Sequence, residues 1–353
     1  MASDREETQA PAGASQAQNY HPMAALKWFL WATISMGEIA PPAQLQQRPL
    51  PQPAEQAPAI KVEVDVVNVL CTVRDRRGAL VTDLGKDDFE IYEDGKLQTI
   101  RYFSRETDLP LTLGLLVDVS RSQERLIEAE RHAASQFLTQ VLRERDLAFL
   151  ISFGPDVQLE QDFTSSRRLL RAALENLRVR ADPTGVYQGP VPTVAKPRGT
   201  VLFDAVYLAA QEKLRAEVGR KALVLISDGV DMGSHVSLAE AIEAAHKADA
   251  IIYSIHYFDP SAYRGMWVSA SDRDLKKMSE DTGGRLFRVS RKNTLEAIFS
   301  EIQQELRSQY SLGYSPTNPV RDGGFRRLEV RTRRKDLTVQ ARKGYYAEPP
   351  HRE

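Results

Sequence analysis

The sequence predicts an α/β fold: a Rossmann-like, doubly wound and mostly parallel sheet, inserted in or flanked by a small sandwich-like β domain. Three observations carry the prediction. Continuous apolar runs such as Leu111 to Val117 alternate with segments of helical spacing through the middle of the chain. Segments that alternate with period two lie on both sides of that middle, at 60–104 and after Gln309. A cluster of oxygen-bearing side chains begins where the first apolar run stops, at Asp118.

The elements follow in order. Val62, Val64 and Val66 alternate with charged residues, and Val67, Val69, Cys71 and Val73 continue in the other phase, which predicts a strand with a bulge near Val66–Val67 or one buried on both faces. Phe89 and Ile91 begin a second strand. Glu93-Asp94-Gly95-Lys96 is then a hairpin turn, with residues 97–103 as the return strand. Leu111–Val117 reads as a parallel strand buried on both faces. Residues 123–142 place Leu126, Ile127, Ala133, Ala134, Phe137, Leu138, Val141 and Leu142 on one helical face. A strand at 146–153, an edge strand at 156–163 and a helix at 165–177 come next. The spacing then predicts helices at 202–217, 237–248, 271–282 and 293–309, with strands at 221–227, 250–258 and 285–289. Tyr310, Leu312 and Tyr314 return to period two, as do Leu328 with Val330 and Leu337 with Val339 and Ala341.

These patterns divide the chain. Residues 1–59 read as a disordered leader, with a signal-peptide-like stretch at 23–43 and a linker rich in Pro, Gln and Ala. A β segment at 60–107 precedes an α/β domain at 108–307, and a second β segment at 308–347 precedes a short tail at 348–353. Neither β segment makes a stable sheet alone, so the two are expected to pack together. The apolar run from Trp28 to Met36 behind Lys27 is too short to span a bilayer. It resembles a secretory signal whose start would be Met23, so export to a periplasmic or extracellular location is the expectation, with the cytoplasm as the alternative.

Composition excludes several classes of function. The 353 residues carry a formal net charge of -1, from 47 basic and 48 acidic residues, which gives no electrostatic case for nucleic acid. The single cysteine, Cys71, excludes a disulfide framework or a Cys-rich metal cluster, and its place in an alternating run reads as a buried strand position. The six histidines have no metal-type spacing: His132 reads as a solvated helix residue and His256 as a strand residue satisfied in the core. Arg326-Arg327 and Arg331–Lys335 form a basic cluster that a solvated sheet face explains, since no aromatic stacking platform accompanies it. No nucleophile elbow or phosphate-binding glycine loop is present.

The chemistry concentrates in three segments. Asp118-Val119-Ser120-Arg121-Ser122 begins at the carboxyl end of a buried strand, where ligand sites of open α/β sheets lie. Its oxygens suit a hard divalent cation, and the two serines coordinate without cancelling the ion's charge. Thr200 precedes the helix at 202–217, and Asp228 follows the apolar strand Ala222–Ile226, with Gly229 permitting a sharp turn. Against this stands helix capping by Asp118 and Ser120, and by Thr200 or Asp204, because such residues are favoured N-caps. The long loop at 178–199 leads into Thr200, so Tyr187 is a candidate contact at the rim. Asp231 is a second rim candidate, close behind Asp228.

Asp118-x-Ser120-x-Ser122, Thr200 within Gly199-Thr200-Val201-Leu202-Phe203-Asp204-Ala205, and Asp228 within Ile226-Ser227-Asp228-Gly229 together resemble the metal-ion-dependent adhesion site (MIDAS) of von Willebrand factor type A (vWA) domains. The resemblance covers roughly residues 109–306, and with its β flanks the chain resembles bacterial VWFA-related proteins. It implies that Ser120 and Ser122 ligate one Mg²⁺ or Mn²⁺ directly, that Thr200 ligates directly or through water, and that Asp118 and Asp228 act largely through bound waters. An acidic side chain of a protein or peptide partner would then complete the shell. The implied function is metal-dependent, adhesion-type binding rather than catalysis. The alternative is an intracellular adaptor subunit of an ATPase or chelatase-like assembly.

Overall fold

The computed structural model describes residues 66–106, 109–180, 199–263 and 272–349. The expected signal stretch, the linker and Tyr187 lie outside the described residues.

At the centre is a six-stranded sheet. It comprises β5 (Leu111–Asp118), β6 (Leu147–Phe153), β7 (Val157–Thr164), β8 (Arg220–Ser227), β9 (Ala250–His256) and β10 (Leu286–Arg288). Their spatial order is β10-β9-β8-β5-β6-β7, parallel except for β7. The chain starts in the middle at β5, builds outward through β6 to β7, then crosses to the other side of β5 and builds outward again from β8. The sheet therefore reverses direction between β5 and β8, which makes the carboxyl ends of these two strands its switch point.

Burial on both faces explains the unbroken apolar runs. All eight residues of β5 are buried, as are all eight of β8. On one face, Leu113, Leu115, Val117, Val224 and Ile226 pack under α1 (Ile127–Val141), α2 (Arg167–Asn176) and α6 (Leu295–Arg307). On the other, Leu116, Phe149, Ile151, Leu223 and Leu225 pack under α3 (Leu202–Leu208), α4 (Leu238–Lys247) and α5 (Arg273–Thr282). Each such aliphatic side chain contributes roughly 1.5–3 kcal/mol by leaving water. Gly114 sits mid-strand because a Cβ there would come within 2.4 Å of the Phe149 ring.

The flanking strands form two antiparallel four-stranded sheets. One has the order β13-β1-β11-β4, from β13 (Thr338–Ala341), β1 (Val67–Arg74), β11 (Gln309–Tyr314) and β4 (Ile100–Glu106). The other is β14-β12-β2-β3, from β14 (Gly344–Tyr346), β12 (Phe325–Thr332), β2 (Phe89–Glu93) and β3 (Lys96–Gln98). Val69, Cys71, Val73, Phe89, Ile91, Tyr310, Leu312 and Leu328 share one core. Burial raises the Cys71 thiol pKa well above its ordinary value. Asp94 and Gly95 both take positive φ, at 47° and 79°, as a two-residue hairpin of matching twist requires.

Several elements differ from expectation. β1 begins at Val67, and Val66 is exposed and unpaired rather than part of a bulged strand. The single helix expected at 202–217 is instead α3 followed by a π-helical segment, Ala209–Leu214, in which Ala209, Ala210 and Leu214 are all buried. A short 3₁₀ turn, Arg121–Gln123, precedes α1 where a longer helix was expected. β14 was not anticipated; three residues carry too little periodicity to announce a strand. Among the described residues no helix is long and apolar enough to cross a membrane.

Candidate metal centre

The switch point holds two acids side by side. Val117 pairs with Ile226 across β5 and β8, so Asp118 falls beside Ser227 and just before Asp228 in space. Both carboxylates are fully buried. Asp118 accepts hydrogen bonds from the Ser120 amide at 2.9 Å and from Ser227 Oγ at 2.6 Å. Asp228 accepts from the Val230 amide at 3.1 Å and from the Tyr263 phenol at 2.6 Å. Gly229 makes the turn between them with φ 81°. Burial, and next the charge of Asp228, push the Asp118 carboxyl up to about 7, against the opposing hydrogen bonds from Ser120 and Ser227.

A third acid sits below. Glu130 lies on the buried face of α1, at full burial, and neither of its carboxylate oxygens has a hydrogen-bond partner. Burial and the charges of Asp118 and Asp228 hold its pKa well above the usual carboxylate range. Both polar atoms of the Gln123 side chain, also fully buried, lack partners. Among the described residues no lysine or arginine pairs with Asp118, Asp228 or Glu130. Like charges held this close in a dry setting repel strongly, so the arrangement suits a cation.

The hydroxyls lie above the acids. Ser120 Oγ and Ser122 Oγ are 2.9 Å apart. Neither end of the following helical segment takes a side-chain cap, so these hydroxyls are not spent on capping. Ser120, Ser122 and Thr200 line one surface pocket of about 470 Å³, together with Arg121, Arg125 and Tyr263. The structure thus brings the five expected residues to one place: three hydroxyls facing a pocket and two acids beneath. Asp231 does not line it. Its carboxylate instead accepts from the Phe203 amide at the start of α3 and from Ser234. Asp204 holds the next turn through the amides of His235 and Val236.

Three contributors escaped the sequence reading. Ser227, beside Asp228 in the same motif, bonds Asp118 directly. Glu130 interrupts the apolar stripe of α1 three residues after Ile127, and an acid on a core-facing position was its signal. Tyr263 arrives from a loop beyond β9, and nothing local marks it. His256 is part-buried, as a core strand residue should be, and its Nε2 bonds the Asp228 carbonyl oxygen at 3.1 Å. His132 is exposed, bonded to Gln136.

No family model matches the chain. No curated protein matches it either. The solved structures similar to the chain include von Willebrand factor type A domains. The similar structures include the conserved hypothetical protein BatB from Bacteroides thetaiotaomicron, at 18% identity over 56% of this chain and 97% of that chain, with a TM-score of 0.41. The vWF domain of the type V pili tip protein Mfa5 from Porphyromonas gingivalis is 13% identical over 56% of this chain and 94% of that chain, with a TM-score of 0.41. Proximal thread matrix protein 1 from the mussel byssus, with a zinc-occupied MIDAS motif, is 12% identical over 61% of this chain and 50% of that chain, with a TM-score of 0.45. Identities and TM-scores this low bear on neither family nor function.

The donor set fits a hard cation. Among the described residues no three His, Cys, Asp or Glu side chains gather as a metal cluster. The two acids at the switch point balance the charge of a divalent ion from beneath, and the donors that face the pocket are neutral hydroxyls.

Proposed function

We propose that this protein binds a protein or peptide partner through one divalent cation, held by Ser120, Ser122, Thr200, Asp118 and Asp228. The observation that carries the reading is the pair of fully buried carboxylates at the switch point, with no lysine or arginine partner among the described residues, beneath three pocket-lining hydroxyls. Mg²⁺ is the favoured ion, with Mn²⁺ as a substitute, because an all-oxygen set of hydroxyls and carboxylates suits both. An ion held by these residues would supply a positive centre for a partner's carboxylate. Ser120 and Ser122 present neutral donors, and Asp118 and Asp228 hold the charge below. Ser227 and the Ser120 amide orient Asp118, and the Val230 amide orients Asp228. Arg121 and Arg125 on the rim favour an acidic partner surface.

This is a binding site rather than a centre of turnover. Phosphatase or peptidase activity with Mg²⁺ or Mn²⁺ that vanished in Asp118→Ala would overturn that reading. The apolar run Trp28–Met36 behind Lys27 leads us to place the protein outside the cytoplasm. Affinity capture from native extract tests the partner directly. Specific capture should occur with Mg²⁺, disappear with EDTA and be absent for Ser120→Ala combined with Asp228→Ala. Capture that ignores both changes would sink the proposal.

A further inference from the structure

We infer that Tyr263 is a built-in competitor for the cation, its phenol engaging a carboxylate oxygen that the ion and its water shell need, so that metal binding requires the tyrosine to leave. The inference rests on the metal-site reading above and adds an intramolecular closed state to it.

The geometry is specific. The Tyr263 hydroxyl donates to Asp228 Oδ2 at 2.6 Å. One neutral group thus occupies a carboxylate oxygen of the proposed donor set. It also lines the pocket through which a cation or partner would reach that set.

The phenol is held there by its own loop. Tyr257 continues the pairing of β8 and β9 through its amide, which donates to the Ser227 carbonyl at 3.0 Å. Phe258 stacks on Tyr263 at 5.4 Å with the rings 11° apart, and His256 stacks on Phe258 at 6.0 Å and 13°. Asp259 closes the turn by accepting from the Ser261 amide and hydroxyl at 2.8 and 2.7 Å. Arg125, just beyond the Asp118–Ser122 segment, donates to Ser261 Oγ at 2.8 Å. The aromatic ladder and this tether aim the phenol at the acids from two sides.

Competition of this kind weakens apparent affinity by the fraction of molecules in the open state. A hydrogen bond to a buried carboxylate contributes enough that removing it should shift affinity by about tenfold. Tyr263→Phe is the informative change, because it keeps the ring stack and deletes only the hydroxyl. Ser261→Ala is the companion change; it loosens the tether and leaves the phenol in place.

The experiment titrates Mn²⁺ into the EDTA-treated, desalted full chain, read by calorimetry and by loss of the free Mn²⁺ paramagnetic resonance signal. Binding should tighten about tenfold in Tyr263→Phe and by a smaller factor in Ser261→Ala. Metal-free Tyr263→Phe should also melt at a lower temperature than the metal-free parent. Unchanged Mn²⁺ affinity in Tyr263→Phe, with clear binding by the parent, would overturn the competitor and leave the metal site standing. Weaker binding in that variant would overturn it too, by making the phenol a helper of the ion. No binding by parent or variant would remove the metal site and the competitor together.

Discussion

Two regions of this molecule bury acids completely and treat them in opposite ways. Glu305 on α6 is fully buried where the α/β unit meets the flanking sheets. It is paired with Arg74 of β1 at 2.5 Å and with Arg285 at 2.6 Å, and it accepts from Gln340 of β13 at 3.2 Å. At the switch point, Asp118, Asp228 and Glu130 are just as buried, and no described lysine or arginine answers them. Among the described residues, two arginines answer one acid and none answers the three others. The difference separates a charge satisfied by the chain from charges arranged for something outside it.

The comparison can be broken from the Glu305 side first. Glu305→Ala removes the buried partner of Arg74 and Arg285, of which Arg285 keeps Glu301, and breaking a buried pair costs up to about 3–5 kcal/mol. Denaturant unfolding should show that loss equally with Mg²⁺ and with EDTA. A loss confined to one condition would mean the two acid clusters are not independent.

The junction should also answer to pH. His246 on α4 packs against Phe325 and Tyr346, with its Nδ1 unpartnered. Burial, and then Arg342, lower its pKa to about 4 from an ordinary 6.5. The unfolded chain therefore binds the proton more readily between these values, so stability is full above about 6.5, falls as pH drops toward 4 and levels below it. The fall should reach up to about 3 kcal/mol and should be missing in His246→Leu. Equal acid sensitivity in parent and variant would remove His246 as its cause.

Smaller effects sharpen the other region. A cation at about 100 times its dissociation constant should add about 2.7 kcal/mol of stability. Asp118→Asn should abolish that gain and, in EDTA above pH 7 where Asp118 is ionised, stabilise the protein by about 1–2 kcal/mol, because it removes a charge that Asp228 repels. That sign is the reverse of Glu305→Ala. A destabilised Asp118→Asn in EDTA would show that the charge is satisfied already.

Much of the α/β unit was legible because its signals are local. The unbroken run Leu111–Val117 announces a strand buried on both faces, and β5 is that strand. The stripe through Ala133, Ala134, Phe137 and Val141 announces α1. The positions of Asp118 and Asp228 at strand tips were readable because each follows an unbroken apolar run. What escaped depends on three-dimensional neighbours. The break of the 202–217 segment into α3 and a π-helical turn follows from packing that spacing does not encode. Tyr263 meets Asp228 across 35 residues of chain, and no periodicity links a loop to a strand tip. Glu130 was visible as an exception within an apolar stripe, but its meaning required the two acids above it.

The most direct test of the account is a thermal melt of the EDTA-treated protein with and without saturating Mg²⁺, run beside Ser120→Ala combined with Asp228→Ala. The account predicts a rise in melting temperature for the parent and none for the double variant. No rise in the parent, or an equal rise in both, would contradict it.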